Sequence, residues 1–95
     1  MKYIMFKDAS GVPFPVTFTA PATHRDLAKI FGAAGFAPQS AGFVQFLGDN
    51  RVRCYGQSDS LNLAADARDE VRIAAFMRAT DLLSPPPQPT PAVSS

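Results

Sequence analysis

The sequence predicts a single α+β domain in the order β-β-α-β-β-(β)-α, in which an antiparallel sheet carries both helices on one face, in two layers. Short segments with apolar residues at every second position are separated by turn residues, a pattern typical of antiparallel strands. Two longer segments carry apolar residues at helical spacing. The chain has 95 residues, of which 46% are hydrophobic, and this is enough for one domain.

The first predicted hairpin consists of two strands, over residues 2–8 and 13–19, with Gly11 in the turn between them. Pro13 and Pro15 lie two positions apart in the second strand, so both missing N–H groups belong to the same side of it. We therefore predict that this is an edge strand whose prolines are turned away from its partner.

The first predicted helix begins after Thr23, which is a favourable N-cap residue, and Asp26 follows at the capping-box position. Gly35 offers a left-handed stop and Pro38 prevents the helix from resuming. Its apolar stripe consists of Leu27, Ile30, Phe31 and Ala34.

A second hairpin is predicted over residues 40–47 and 51–56, around a turn at residues 48–50. Residues 61–63 form a further short strand. The last helix is predicted from Asp66 to Leu83, with Asp66 as its cap. Acidic residues in the first turn, at positions 69 and 70, favour the positive end of the helix dipole.

The apolar residues of this last helix fall on two faces. One face carries Ile73, Phe76, Met77 and Leu83, and the other carries Val71, Ala75, Ala79 and Leu82. A helix on the surface of a small monomer needs only one buried face. We therefore predict that the second face is an interface, most simply that of a homodimer.

Composition changes sharply after Ser84. We predict a domain over residues 1–84 and a disordered tail over residues 85–95, where five of the nine prolines lie and favour an extended polyproline-II conformation. The tail contains a PxxP match at residues 86–89 but no basic flank, so a spacer is the favoured interpretation.

Global charge and cysteine content narrow the function classes. The net charge of +1 gives no support to nucleic-acid binding, since phosphate contacts supply most of the affinity and such binders usually carry a basic excess; a local basic patch remains open. The single cysteine, Cys54, excludes an intramolecular disulfide and a cysteine-rich metal site, and it favours a reducing compartment. With no apolar segment of membrane-spanning length, the sequence predicts a cytoplasmic protein without membrane, metal or cofactor.

Arg51, Arg53 and Tyr55 share one face of a predicted strand and form the best candidate binding patch. Two guanidinium groups beside an aromatic ring are suited to gripping phosphate or stacking on a base. The alternative is that these residues simply form the solvent-exposed face of a sheet. Such faces are normally polar, so this alternative is the favoured one.

Cys54 and His24 could in principle form a nucleophile and its base. Such a pair needs a third group that orients the imidazole and a lowered thiol pKa, and the sequence indicates neither. Cys54 alternates with Val52, so we predict a core position for it. For His24, at the start of a helix, we predict a surface or capping role, and we assign no catalytic residue.

Several segments together resemble a group of small uncharacterised proteins of tailed bacteriophages and prophages, over about residues 1–77. These segments are Met1-Lys2-Tyr3-Ile4, Pro15-Val16-Thr17-Phe18, His24-Arg25-Asp26-Leu27-Ala28, Ser40-Ala41-Gly42-Phe43 and residues 54–63. The chain departs from the group at Asn62, where Gly is usual, and at residues 65–67, where Ser-Arg-Pro is usual. The resemblance implies a phage or prophage protein in a bacterial cytoplasm, and it implies no reaction.

Three functions remain open from the sequence. The first is a non-enzymatic accessory protein that binds a host or phage protein, as a homodimer. The second is a nucleic-acid-binding accessory protein that uses Arg51, Arg53 and Tyr55. The third is a small enzyme centred on Cys54 or His24, which ranks last because such chemistry requires at least two converging groups.

Overall fold

The computed structural model describes residues 1–83, of which residues 81–83 are described by their helical backbone alone. The predicted tail, residues 85–95, lies outside the described residues. The elements in chain order are β1 (Lys2–Lys7), β2 (Pro13–Phe18), α1 (His24–Ala33), β3 (Ala37–Gly48), β4 (Arg51–Tyr55), β5 (Gln57–Ser58), β6 (Leu63–Ala64) and α2 (Ala67–Leu83). The predicted α+β class and the order of the predicted elements are confirmed. The short strand predicted at residues 61–63 lies at Leu63–Ala64, and its partner β5 was not predicted.

Four of the strands form one antiparallel sheet in the order β2-β1-β3-β4, and β5 pairs with β6 in a separate two-stranded ribbon. β2, which carries Pro13 and Pro15, lies at an edge of the sheet, as the two prolines predicted. β1 lies inside the sheet, where Ile4 is opposite Val16 of β2 on one side and opposite Ala41 of β3 on the other.

The central strand β1 is buried on both faces. Its four fully buried residues are Tyr3, Ile4, Met5 and Phe6. Tyr3 and Met5 belong to the cluster that packs against α2, whereas Ile4 and Phe6 belong to the cluster that packs against α1. The helices therefore lie on opposite faces and the domain has three layers, so the predicted placement of both helices on one face is wrong. An uninterrupted apolar run such as residues 3–6 is typical of a strand covered on both sides.

Helix α1 begins with the predicted capping box. Thr23 Oγ1 accepts from Asp26 N at 3.1 Å, and Asp26 Oδ2 accepts from Thr23 N at 3.2 Å. Phe31 packs on the sheet with its ring 4.9 Å from that of Phe6. Ile30 belongs to the predicted stripe but is 64% exposed, because the helix contacts the sheet through positions 27, 28 and 31 and leaves its margin uncovered.

The second hairpin has the predicted turn, in which Gly48, Asp49 and Asn50 all have positive φ angles of 87°, 53° and 57°. Glycine and asparagine or aspartate are the residues that adopt this conformation at least cost. β3 begins at Ala37, three residues before the predicted start at position 40, and its first part pairs with β1 across a register shift.

Helix α2 begins at Ala67, and Asp66 caps it as predicted, since Asp66 Oδ1 accepts from Arg68 N at 2.9 Å. Glu70 Oε2 accepts from the backbone N of Cys54 at 2.8 Å, which fastens the first turns of the helix to the edge strand β4. Neither helix within residues 1–83 has the length and apolar character needed to cross a membrane.

Candidate functional site

The outward side of α2 carries the residues that the sequence assigned to an interface. Val71, Ala75 and Ala79 are exposed, Val71 to 69%, whereas Ile73 on the inward side is only 2% exposed. The side chain of Leu82, the fourth predicted interface residue, lies outside the described residues. The described part of this stripe is therefore apolar, small in profile at the two alanines, and open to solvent.

An apolar groove lies beside α2, on the side toward the edge strand β2. It has a volume of about 300 Å³ and lies between the C-terminal half of the helix, the edge strand and the end of β3. Its lining residues are Pro15, Thr17, Phe46, Asn50, Ile73, Phe76, Met77 and Thr80. Phe76 was assigned to the inward face from sequence, yet it is 46% exposed, because the helix packs more closely against β4 than against the edge strand β2.

The predicted patch of Arg51, Arg53 and Tyr55 lies exposed on β4. The guanidinium carbon of Arg53 is 5.7 Å from the centre of the Tyr55 ring, and that ring stacks on Phe43 of β3 with 5.8 Å between centroids. Cys54, between Arg53 and Tyr55, faces α2, so these two residues lie on the other face of the sheet. The structure thus brings Arg53 and Tyr55 together and adds Phe43 to them, whereas Arg51 lines a concavity with Val71 and Arg78 of α2.

A buried carboxylate, Asp69, lies at the centre of a polar cluster between the sheet and α2. Asp69 Oδ2 accepts from Tyr3 Oη at 2.6 Å, from Ser40 Oγ at 2.5 Å and from Asp66 N at 3.3 Å. Its other oxygen, Oδ1, accepts from Arg72 Nη1 at 3.2 Å. Asp69 has no solvent exposure, and its ion pair and hydrogen bonds compensate the desolvation of its charge.

Burial near this cluster raises two pKa values. Burial, and then the hydrogen bond to Asp69, raise the pKa of Tyr3 well above its ordinary value. Burial raises the pKa of the Cys54 thiol to about 11. The thiol of Cys54 is therefore protonated at neutral pH, which is the unreactive form.

Cys54 and His24 lie on opposite faces of the sheet. Cys54 packs against the cluster under α2, in agreement with the predicted core position, although it is only partly buried. His24 is buried on the other face, where its Nε2 donates to Gly42 O at 2.9 Å and its ring makes edge contacts with Phe18 and Phe43. The predicted surface or capping role of His24 is wrong, because the first turn of α1 lies directly on the sheet.

Two features were missed by sequence reasoning. Asp69 was assigned to the helix dipole, although it lies four residues before Ile73 and eight before Met77, on the inward stripe of α2. That spacing was the signal for a buried carboxylate. No sequence pattern near its lining residues predicts the groove beside α2, because the groove depends on how far the helix extends over the edge strand.

Comparisons of the chain with protein-family models, with curated proteins and with solved structures gave no match. In the part of the chain that the structure describes, no three His, Cys, Asp or Glu side chains form a group suited to holding a metal ion.

Proposed function

We propose that this protein is a non-enzymatic accessory protein that forms a homodimer through the outward side of α2 and binds another protein in the groove beside that helix. The observation that carries the proposal is the exposure of Val71 on the side of α2 opposite the buried Ile73. The phage or prophage origin remains a prediction from the resemblance, and it would make the bound partner a phage or host protein.

The stripe of α2 has a profile that suits packing against a second copy of itself. A twofold axis near Ala75, with the two helices antiparallel, would bring Val71 of each copy to Ala79 of the other. The small alanine side chains would let the helices approach closely, and the larger valines would fill the space above them. Apolar surface buried between the two helices would contribute about 25 cal/mol per Å² to the free energy of dimerisation, before the cost of association is subtracted.

The groove suits a short apolar segment of a partner protein. Phe46 and Phe76 are both nearly half exposed at its walls, and Met77 offers an adaptable surface between them. Half-exposed aromatic side chains around a concave apolar surface are typical of the central contacts in protein interfaces. The groove and the outward stripe lie on different sides of the helix, so one chain can use both at once.

The dimer is tested by sedimentation of the full chain at about 100 µM, where mass action favours even a weak dimer. The expected result is a dimer that Val71→Glu converts to a monomer. The matched control is Ile30→Glu, which places the same charge at an equally exposed apolar position of α1. A monomeric wild-type chain, or equal effects of the two substitutions, would refute this part of the proposal.

The groove is tested separately. A partner is first captured from bacterial lysate with the wild-type chain and purified, and its binding to wild type and to Phe76→Asp is then compared. We expect Phe76→Asp to lose the partner while remaining dimeric, and Val71→Glu to keep the partner while becoming monomeric. A partner retained equally by both variants would show that neither surface holds it, and the groove assignment would fail.

A second candidate function, nucleic-acid binding, is favoured by one observation. The guanidinium of Arg53 lies over the Tyr55 ring, which itself stacks on Phe43, so that a cation and two aromatic rings are joined on an open sheet face. Such surfaces accept unpaired bases by stacking. At about 50 mM salt, where electrostatic contacts are strong, Arg53→Ala should weaken binding of a single-stranded oligonucleotide and Arg78→Ala should not. Absence of binding by the wild-type chain under this condition would exclude the function.

A further inference from the structure

We propose that a polar concavity between the β1–β2 loop and the first turns of α2 is a binding site for a small oxyanion, a phosphate or a carboxylate. This inference goes beyond the proposed function, because the concavity shares no lining residue with the apolar groove or with the outward stripe. It has a volume of about 320 Å³, at the small end of the range for small-molecule sites.

Three cations from two elements line the concavity. Lys7 comes from the end of β1, and Arg68 and Arg72 come from α2. The remaining lining residues are Met5, Gly11, Pro13, Gln39, Ser40 and Asp66. The amide of Gln39 adds a further polar group, whereas the hydroxyl of Ser40 is already donated to Asp69. Gly11 of the β1–β2 loop lines one side.

The side chain of Arg72 is held in position by the buried carboxylate of Asp69. Its Nη1 donates to Asp69 Oδ1 at 3.2 Å, and Asp69 is itself fixed by bonds from Tyr3 and Ser40 on two strands of the sheet. A guanidinium has five N–H donors in one plane, so the bond to Asp69 leaves further donors for a ligand. A side chain that is already ordered loses less entropy when an anion binds to it.

The charge balance of the concavity favours an anion. Its three cations face two carboxylates, Asp66 at the rim and Asp69 beneath, which leaves an excess of one positive charge. Asp66 is already bonded to Arg68, whose Nη2 donates to Asp66 Oδ2 at 2.8 Å. Within residues 1–80, the ammonium of Lys7 has no carboxylate partner, and it is therefore the charge that remains for a ligand.

The charges in this balance hold over a wide pH range. The hydrogen bonds from Arg68 lower the pKa of Asp66 to about 2, so that its carboxylate stays ionised near neutral pH and continues to occupy Arg68. Lysine and arginine are cationic in the same range. An oxyanion between Lys7 and Arg72 would therefore meet two cations and would not displace an existing ion pair.

The test is an NMR titration of the full ¹⁵N-labelled chain with inorganic phosphate in one arm and acetate in the other, at about 20 mM ionic strength, where screening is weak. The expected result is a saturable shift of the backbone amides of Lys7, Gly11, Ser40 and Arg72 in at least one arm. Saturation with phosphate alone identifies phosphate groups as the ligand class, and saturation with acetate alone identifies carboxylates. Saturation in both arms identifies a general oxyanion site.

Lys7→Gln should weaken the binding about tenfold, since it removes a charged hydrogen-bond donor. It changes an exposed side chain and leaves the Asp69 cluster intact, so loss of folding does not confuse the result. Arg72→Lys should also weaken it, because an ammonium lacks the planar pair of donors. The matched control is Arg78→Gln, which removes the same charge farther along α2. No saturable shift up to about 5 mM anion, which keeps the ionic strength within the stated value, or an equal affinity in Lys7→Gln and Arg78→Gln, would overturn the proposal.

Discussion

Tyr3 Oη donates to Asp69 Oδ2 across 2.6 Å, and this bond joins the first strand of the domain to its last helix over 66 residues of sequence. Both side chains are fully buried. Ser40, from β3, donates to the same carboxylate oxygen at 2.5 Å. One carboxylate therefore fastens α2 to two neighbouring strands, and it sets where the helix begins to cross the sheet.

Asp69→Ala should lower the free energy of unfolding by about 3 kcal/mol or more, because it leaves the buried hydroxyls of Tyr3 and Ser40 without their acceptor. Tyr3→Phe should cost about 1 kcal/mol, since three donors to Asp69 remain. Urea denaturation measures both values.

The matched control is Tyr55→Phe, which removes a tyrosine hydroxyl from an exposed ring and should change stability by less than about 0.5 kcal/mol. An equal cost for Tyr3→Phe and Tyr55→Phe would contradict the importance of the buried hydrogen bond.

The parts of this fold that were predicted from sequence depend on local chemistry. The capping box of Thr23 and Asp26, the turn around Asp49 and the edge position of the strand with Pro15 each follow from residues that are close in sequence. Their geometry is fixed by backbone sterics and by hydrogen bonds within one turn.

The parts that were not predicted depend on contacts between distant residues. The choice of sheet face for each helix is made by β1, where Tyr3 and Ile4 point to opposite sides, and nothing near either helix records that choice. The partner of Asp69 is likewise 66 residues away. The pairing of Arg53 with Tyr55 on β4 was predicted because strand alternation places them on one face, whereas Arg51 lines a concavity with α2. The two concavities beside α2 required the position of the helix on the sheet.

The stability of the domain should fall as pH rises above about 9. Burial raises the pKa of Cys54 from its ordinary 9.0 to about 11 and raises that of Tyr3 above its ordinary 10.0. In this range the unfolded chain releases these protons while the folded chain keeps them, so unfolding is favoured as pH increases. The stabilisation is complete below the pKa values that Cys54 and Tyr3 have in the unfolded chain, and it is lost as the pH approaches their pKa values in the folded chain.

Chemical denaturation between pH 7 and pH 11 measures this dependence, and Cys54→Ser with Tyr3→Phe should flatten it. A pH profile that is unchanged in the double variant would show that other groups cause the loss.

The thiol of Cys54 should react slowly in the folded protein. Its raised pKa of about 11 leaves little thiolate near pH 8, and its position under α2 restricts access by a reagent. We expect a disulfide reagent at pH 8 to label the folded chain at least tenfold more slowly than the urea-unfolded chain. Equal labelling rates would mean that the thiol is open and activated, and would revive the nucleophile hypothesis.

Two glycines should respond in opposite directions to substitution by alanine. At Gly42 an added Cβ would lie 2.5 Å from the backbone oxygen of Tyr55, so Gly42→Ala must push β3 away from the end of β4 and should cost about 2 kcal/mol or more. At Gly32, in α1, an added Cβ would meet nothing within 4 Å, so Gly32→Ala should raise the free energy of unfolding by about 0.5 kcal/mol through helix propensity and a less flexible unfolded chain. Thermal denaturation of the two variants measures both effects.

The carbonyl of Gly42 also accepts from His24, so a loss of stability in Gly42→Ala should be accompanied by a change in the His24 ring resonances. A variant as stable as wild type, with unchanged resonances, would show that the approach of β3 to β4 is looser than 2.5 Å implies.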